Sequence, residues 1–195
     1  MQRPRQILIF GGAFNPPTLA HEAAIAACLD LPQFDEVWIM PSGDRDDKHI
    51  GTADSHRLAM LALIVAERFN NNPRLQLTDF ELRLARPNAT YRTLNALRQT
   101  HPGTTFWFAF GTDSYRTMPT WPNGTQLQKD LQHIVLFARE GQVANVTHAL
   151  TCTIAPQLSG LSSTAARKMH ASGKPLNGVV SPAIEHYIRR HRLYE

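Results

Sequence analysis

Short apolar runs rich in β-branched residues alternate along the chain with amphipathic stretches, and this alternation predicts strands and helices in turn. Residues 6–10 read as a strand that ends where Gly11 and Gly12 interrupt the apolar run. Ala20, Ala23, Ala24, Ala27, Cys28 and Leu31 then follow at helical spacing. Residues 36–40 predict a second strand, 56–69 a helix, 75–79 a strand, and 90–100 a helix closed by Pro102-Gly103. Beyond these, residues 105–110 predict a buried strand, 126–131 a short helix, 133–138 a strand and 151–154 a last short one, with helices at 163–171 and 182–192. Strands alternating with helices throughout point to an α/β fold with one doubly wound parallel sheet of about five or six strands and helices on both faces. No linker or repeat divides the chain. Residues 1–195 are therefore expected to form a single domain, with the helices from about 163 onward packed on it.

Composition narrows the class. With 43% apolar and 18% charged residues, the chain has enough apolar surface to bury a core, which excludes a disordered or coiled-coil protein. The longest apolar run, residues 59–66, is far short of the roughly 20 residues of a membrane-spanning helix. The apolar run after Arg3 and Arg5 is cut short by Gly11-Gly12, too soon for a secretory leader, so a cytoplasmic protein with no membrane partner is expected. Cys28 and Cys152 form no CxxC pair and are expected to be reduced. The net charge of +4 suits a nucleotide polyanion and is too small to indicate nucleic acid as a partner. The basic cluster Arg189-Arg190-His191-Arg192 closes the last helix, where cations suit the negative end of the dipole.

Two junctions carry the chemistry. The first reads Gly11-Gly12-Ala13-Phe14-Asn15-Pro16-Pro17-Thr18-Leu19-Ala20-His21. Glycines after a strand let the backbone approach a ligand, and the helix that follows offers free N–H groups and a positive dipole end to phosphate. Thr18 and His21, three apart at the helix start, share one face, and a protonated His21 is expected to neutralise charge there. The dinucleotide pattern GxGxxG is missing, and Gly173-Lys174 is followed by Pro175, so neither hydride transfer nor P-loop hydrolysis is supported. The second junction, Leu161-Ser162-Ser163-Thr164-Ala165-Ala166-Arg167, sets three hydroxyls at a helix start with a guanidinium one turn later, a site for further phosphates. The nine histidines include no HxxxH or HExxH spacing, so no protein-held metal is expected.

GGAFNPPTLAH resembles the GGxFxPxHxGH motif, and LSSTAARK the ISSTxIR motif, of the HxGH nucleotidyltransferases. Between them lie Lys48, Arg57-x-x-Met60, Asp79-Phe-Glu81, Thr90-Tyr91-x-Thr93-Leu94, Phe110-Gly111-Thr112-Asp113, Trp121 and Arg139, in the order seen in bacterial nicotinate/nicotinamide mononucleotide adenylyltransferases. Thr18 replaces the first histidine of HxGH and Ala20 its glycine; threonine there resembles the TxGH form of phosphopantetheine adenylyltransferases. The loop at residues 41–48 lacks the Pro-Pro-His-Lys text of the family.

The resemblance implies a Rossmann-like nucleotidyltransferase that moves AMP from ATP to a pyridine mononucleotide in NAD biosynthesis and releases pyrophosphate. It implies that His21 and Thr18 contact the transferring phosphate, with Arg167 a third catalytic residue. Gly11, Gly12, Ala13, Phe14, Gly111, Asp113, Ser162, Ser163 and Thr164 would bind ATP. Asn15, Lys48, Thr90, Tyr91, Trp121 and Arg139 would bind the second substrate. Magnesium would arrive with the triphosphate and not on a cluster of protein ligands. Two alternatives stay open: an enzyme with phosphopantetheine or another phosphate as acceptor, and a nucleotide sensor without turnover. Preference between nicotinate and nicotinamide, and self-association as a homo-oligomer, are not decided by these residues.

Overall fold

The computed structural model describes residues 3–44, 50–85, 89–131, 133–138, 149–153, 158 and 160–195. Six strands form one parallel sheet: β1 (Arg5–Gly12), β2 (Glu36–Pro41), β3 (Leu75–Leu77), β4 (Thr104–Gly111), β5 (Ile134–Ala138) and β6 (Ala149–Thr153). Their order is β3-β2-β1-β4-β5-β6, the doubly wound order, with the reversal between β1 and β4. Parallel sheets are covered on both faces, and the apolar run Ile7-Leu-Ile-Phe10 is accordingly buried at every position. Strand periodicity then divides it. Leu8 and Phe10 join Val37, Ile39, Val135 and Phe137 in the core on one face, while Ile7 and Ile9 join Phe106, Phe108, Ile134 and Leu136 in the core on the other.

Helix α1 (Leu19–Leu29) covers the first face with Ala24, Ile25 and Cys28. Its last carbonyl, that of Leu29, has no intrahelical partner, and Arg74 donates to it and to the carbonyls of Leu31 and Phe34 in the segment that follows, at 2.9–3.0 Å. Helix α2 (Asp54–Leu63) continues as a π-helical turn over Ile64–Arg68, where the periodicity predicts one helix through residue 69. The second face takes α4 (Thr90–Thr100), through Leu94 and Leu97, and α6 (Gly124–Asp130), through Leu127. Two short helices escaped the periodicity: α3 (Phe80–Arg83) and α5 (Thr112–Thr117) are too brief to show a repeat. Helices α7 (Ser163–Ala171) and α8 (Pro182–Arg190) pack with Met60 and Ile64 around a third core of Ala166, Leu176, Ile184 and Ile188. Each such buried aliphatic side chain contributes about 1.5–3 kcal/mol relative to an exposed one.

Two boundaries differ from the sequence reading in ways that matter. Gly11 and Gly12 belong to β1, paired with Met40 and Pro41, and do not form a turn beyond it. The last helix stops at Arg190, because Arg192 and Tyr194 adopt left-handed backbone, φ 49° and 68°. Both cysteines are free, and among the described residues no helix is long and apolar enough to cross a membrane.

Gly124, the first residue of α6, fixes the turn that carries Trp121. Its N–H donates to the Trp121 carbonyl at 2.7 Å, and a Cβ there would stand 1.8 Å from the Met118 carbonyl oxygen. Gly124→Ala should therefore destabilise the fold by at least the ~1–3 kcal/mol typical of overpacking. The urea midpoint reads this directly, and a parental midpoint would show that the turn yields without strain.

Candidate active site

At the end of β1 the chain turns through Ala13, Phe14 and Asn15 into α1, and the carbonyls of Ala13, Asn15 and Pro16 are each held by a side chain from elsewhere. Phe14 adopts left-handed backbone, φ 47°, and its ring lies against Gly12, where a Cβ would meet it at 3.2 Å. Glycine is needed there for close approach. Arg57, completely buried on α2, donates to the Ala13 carbonyl at 2.9 Å and to Asp54 at 2.5 Å. Ser163 Oγ donates to the Pro16 carbonyl at 2.8 Å, and Arg167 Nη1 to the Asn15 carbonyl at 2.6 Å.

His21 sits on the first turn of α1, and its Nδ1 accepts the Thr18 backbone N–H at 2.9 Å. Thr18 Oγ1 lies 2.8 Å from the same nitrogen. An Nδ1 that accepts has no proton of its own, so the neutral ring carries its proton on Nε2. Phe14 packs edge-on to the imidazole at 5.1 Å between ring centres. Burial lowers the His21 pKa from its usual 6.5 to about 4. The histidine is thus neutral at pH 7, contrary to the protonated form expected from sequence, and acts as an N–H donor.

Next to His21 opens a cavity of about 280 Å³ whose polar wall is made by Asn15, Ser163, Thr164 and Arg167. Ala13 and Ile50 border it and also border a second cavity of about 230 Å³. The second cavity lies at the carboxyl ends of β1 and β4, where the strand order reverses. Gly11, Gly12 and Gly111 form its backbone wall, Phe108, Phe110 and Trp121 its aromatic wall, and Thr90 and Ser114 contribute hydroxyls. Phe110 and Trp121 meet edge to face at 6.2 Å. The buried Glu81 carboxylate accepts the Gly43 N–H at 3.2 Å and the Thr93 hydroxyl at 3.1 Å, tying the 42–43 segment to α4.

Most residues singled out in the sequence converge on these two spaces, but four do not line either. Thr18 is fully buried and touches His21 without lining the cavity, so its place is behind the imidazole. Ser162 caps α7, accepting the Ala165 N–H at 3.1 Å. Asp113 pairs with Arg116 at 2.6 Å, and Tyr91 packs against the core of its face. Asn15 borders the first cavity with both ends of its amide already engaged: Nδ2 donates to the Ile50 carbonyl and Oδ1 accepts from Tyr194, each at 2.7 Å. Lys48 and Arg139 lie outside the described residues. Sequence reading missed Ser42, Ser114, Ile50 and Tyr194, none of which stands in a recognisable pattern. Among the described residues no group of three or more His, Cys, Asp or Glu could hold a metal ion.

A doubly wound sheet whose switch point opens into one polar and one aromatic cavity defines a nucleotide-binding α/β enzyme. The cytidylyltransferase-like family model matches residues 9–169. The probable nicotinate-nucleotide adenylyltransferase of Synechococcus sp. (strain JA-3-3Ab) is 34% identical over 97% of this chain and 95% of its own. That of Shouchella clausii (strain KSM-K16) is 30% identical over 97% of each. The structure of Plasmodium falciparum nicotinic acid mononucleotide adenylyltransferase complexed with NaAD superposes with a TM-score of 0.83, at 26% identity over 97% of each chain. This chain belongs to the cytidylyltransferase-like family and, within it, to the nicotinate-nucleotide adenylyltransferases, and it is a nucleotidyltransferase.

The lowered His21 pKa has a consequence for stability. Between pH 6.5 and about 4 the unfolded chain binds a proton at His21 that the folded chain refuses, so stability is full above 6.5 and falls as pH drops toward 4. His21→Asn should flatten this part of the profile by up to one proton. Urea midpoints across the window decide it: identical slopes for parent and variant would mean that the imidazole titrates freely.

Proposed function

We propose that this chain transfers the adenylyl group of ATP to the 5′-phosphate of nicotinate mononucleotide, releasing pyrophosphate and forming the dinucleotide of NAD synthesis. The observation that carries this reading is the pair of abutting cavities, one walled by His21 and Arg167 and the other by Trp121 and Phe110, with Ala13 and Ile50 common to both. A mononucleotide with its aromatic base in the second cavity and its phosphate at the shared wall would face the α-phosphorus of ATP. A phosphate oxygen of the mononucleotide attacks that phosphorus while the bond to the pyrophosphate oxygen breaks. The nucleophile is already ionised at pH 7, so no general base is needed, and positioning with charge stabilisation supplies the acceleration.

In this scheme the Nε2–H of His21 donates to the α-phosphate, and Thr18 acts through His21 by holding the ring and its tautomer. An anion beside Nε2 favours the imidazolium, so the bound phosphate offsets the effect of burial on the ring. Arg167, Ser163 and Thr164 take the departing pyrophosphate at the start of α7, where the helix dipole adds to the guanidinium charge. Magnesium enters as part of the ATP substrate. The nicotinate form is favoured over the amide by the relatives' names, and soluble substrates suit a cytoplasmic location.

Incubation with ATP and magnesium against nicotinate mononucleotide, its amide and phosphopantetheine, following pyrophosphate, tests the reading. Release is expected to depend on the pyridine mononucleotide and to be faster with nicotinate. Release with phosphopantetheine alone would move the acceptor, and ATP binding without turnover would make the chain a sensor. His21→Ala should lower kcat by at least about 10²-fold, the loss of one preorganised donor. Arg167→Ala should weaken ATP binding, since its contact also exists in the ground state. Parental kinetics for both variants would place the chemistry elsewhere.

Trp121→Ala should raise the KM of the mononucleotide and leave that of ATP unchanged, since a lost aromatic contact costs about 0.5–1.5 kcal/mol beyond its area. A lower melting temperature with an unchanged KM would make Trp121 a packing residue.

A further inference from the structure

The chain does not trail away after α8. The Leu193 N–H donates to the Ile188 carbonyl at 3.1 Å, Leu193 packs on the third core, and the left-handed residues Arg192 and Tyr194 fold the tail back across the molecule. Non-glycine residues hold such backbone only where surrounding contacts over-determine it. The contact here is Tyr194, whose hydroxyl reaches Asn15, 179 positions earlier, and whose environment includes a hydrogen bond with Thr52.

The direction of these bonds is fixed by elimination. The Ile50 carbonyl can only accept, so the nitrogen of the Asn15 amide faces it and the oxygen faces Tyr194, which must donate. Burial pushes the Tyr194 pKa up to about 12, so the donor keeps its proton at any working pH. Asn15 thereby joins four segments of chain: its own loop, the 50–52 segment, the tail, and α7, whose Arg167 donates to the Asn15 carbonyl. Three of the four, all but the tail, supply walls of the cavity beside His21.

We propose that Tyr194 is a positioning residue for the triphosphate of ATP: the tail is a strap that, through Asn15, sets the spacing between Arg167, the 50–52 segment and the turn after β1. This rests on the assignment of the His21 cavity to ATP phosphates. Losing the hydroxyl leaves the Asn15 oxygen buried without its donor, and the turn is freed to shift by fractions of an ångström, enough to misalign a guanidinium contact. The effect falls chiefly on ATP, because Asn15 borders the cavity beside His21 and not the aromatic one, whose aromatic wall of Phe108, Phe110 and Trp121 comes from β4 and the turn before α6.

Tyr194→Phe keeps the ring and removes the hydroxyl. Expected is a rise of about five- to tenfold in the Kd of an ATP analogue with methylene between the α and β phosphorus, and in the KM of ATP, the scale of one lost hydrogen bond. The KM of the mononucleotide stays within about twofold, and amide exchange in the 50–54 segment accelerates. Tyr187→Phe is the control: it loses a bond to His56 from α8, the helix that precedes the tail, and should leave ATP affinity at the parental value. Parental affinity and exchange in Tyr194→Phe, or equal weakening of both substrates, or the same loss in both variants, overturns the strap. If the parent shows no adenylyl transfer, the functional reading fails by itself, while analogue binding and the exchange comparison still decide the role of Tyr194.

Discussion

A buried turn whose carbonyls find no donors within itself must be supplied with them from elsewhere, and the architecture around residues 13–18 answers this constraint. The carbonyls of Ala13, Asn15 and Pro16 each receive a side-chain donor from elsewhere: Arg57 of α2, Arg167 of α7 and Ser163 of α7. The Leu19 N–H is taken by the Val179 carbonyl. Buried carbonyls left without donors cost about 1–3 kcal/mol each, so α2 and α7 stabilise the turn. The helices after the sheet are themselves held against α2 by the third core, an apolar cluster apart from the sheet.

The same arrangement shapes the electrostatics. Arg57 is wholly enclosed and touches protein oxygens, so it contributes field and rigidity without being a ligand group. Arg167 borders the cavity and serves both the fold, through Asn15, and the space beside His21. The imidazole is neutral, which keeps an unpaired charge out of a desolvated position. Thr18 meets the ring through both its backbone N–H, a group every non-proline residue carries, and its hydroxyl.

The sheet was legible because a strand buried on both faces leaves an apolar run, and four of the six strands carry runs of at least four such residues with clear boundaries. The cavity walls were legible where glycine, hydroxyl and basic residues cluster within one helical turn, as at 11–14 and 162–167. Reading failed where the signal is not local. Gly11 and Gly12 read as the end of the strand, yet pairing with β2 extends it across them. The π-helical turn after α2 keeps the apolar pattern of an ordinary helix, so its register shift was hidden. That Thr18 and His21 share a helix face was legible, but not that the two side chains contact each other.

By itself the sequence determined the alternating elements, the parallel sheet with both faces covered, and the two junctions that line the cavities, because each of these depends on residues within a few positions of one another. Only the tertiary structure decided that His21 is neutral, that Asn15 is a junction and that Tyr194 belongs beside it. Burial, tautomer and the direction of a hydrogen bond depend on what other segments bring to a point in space. No periodicity along the chain records that residue 194 ends beside residue 15.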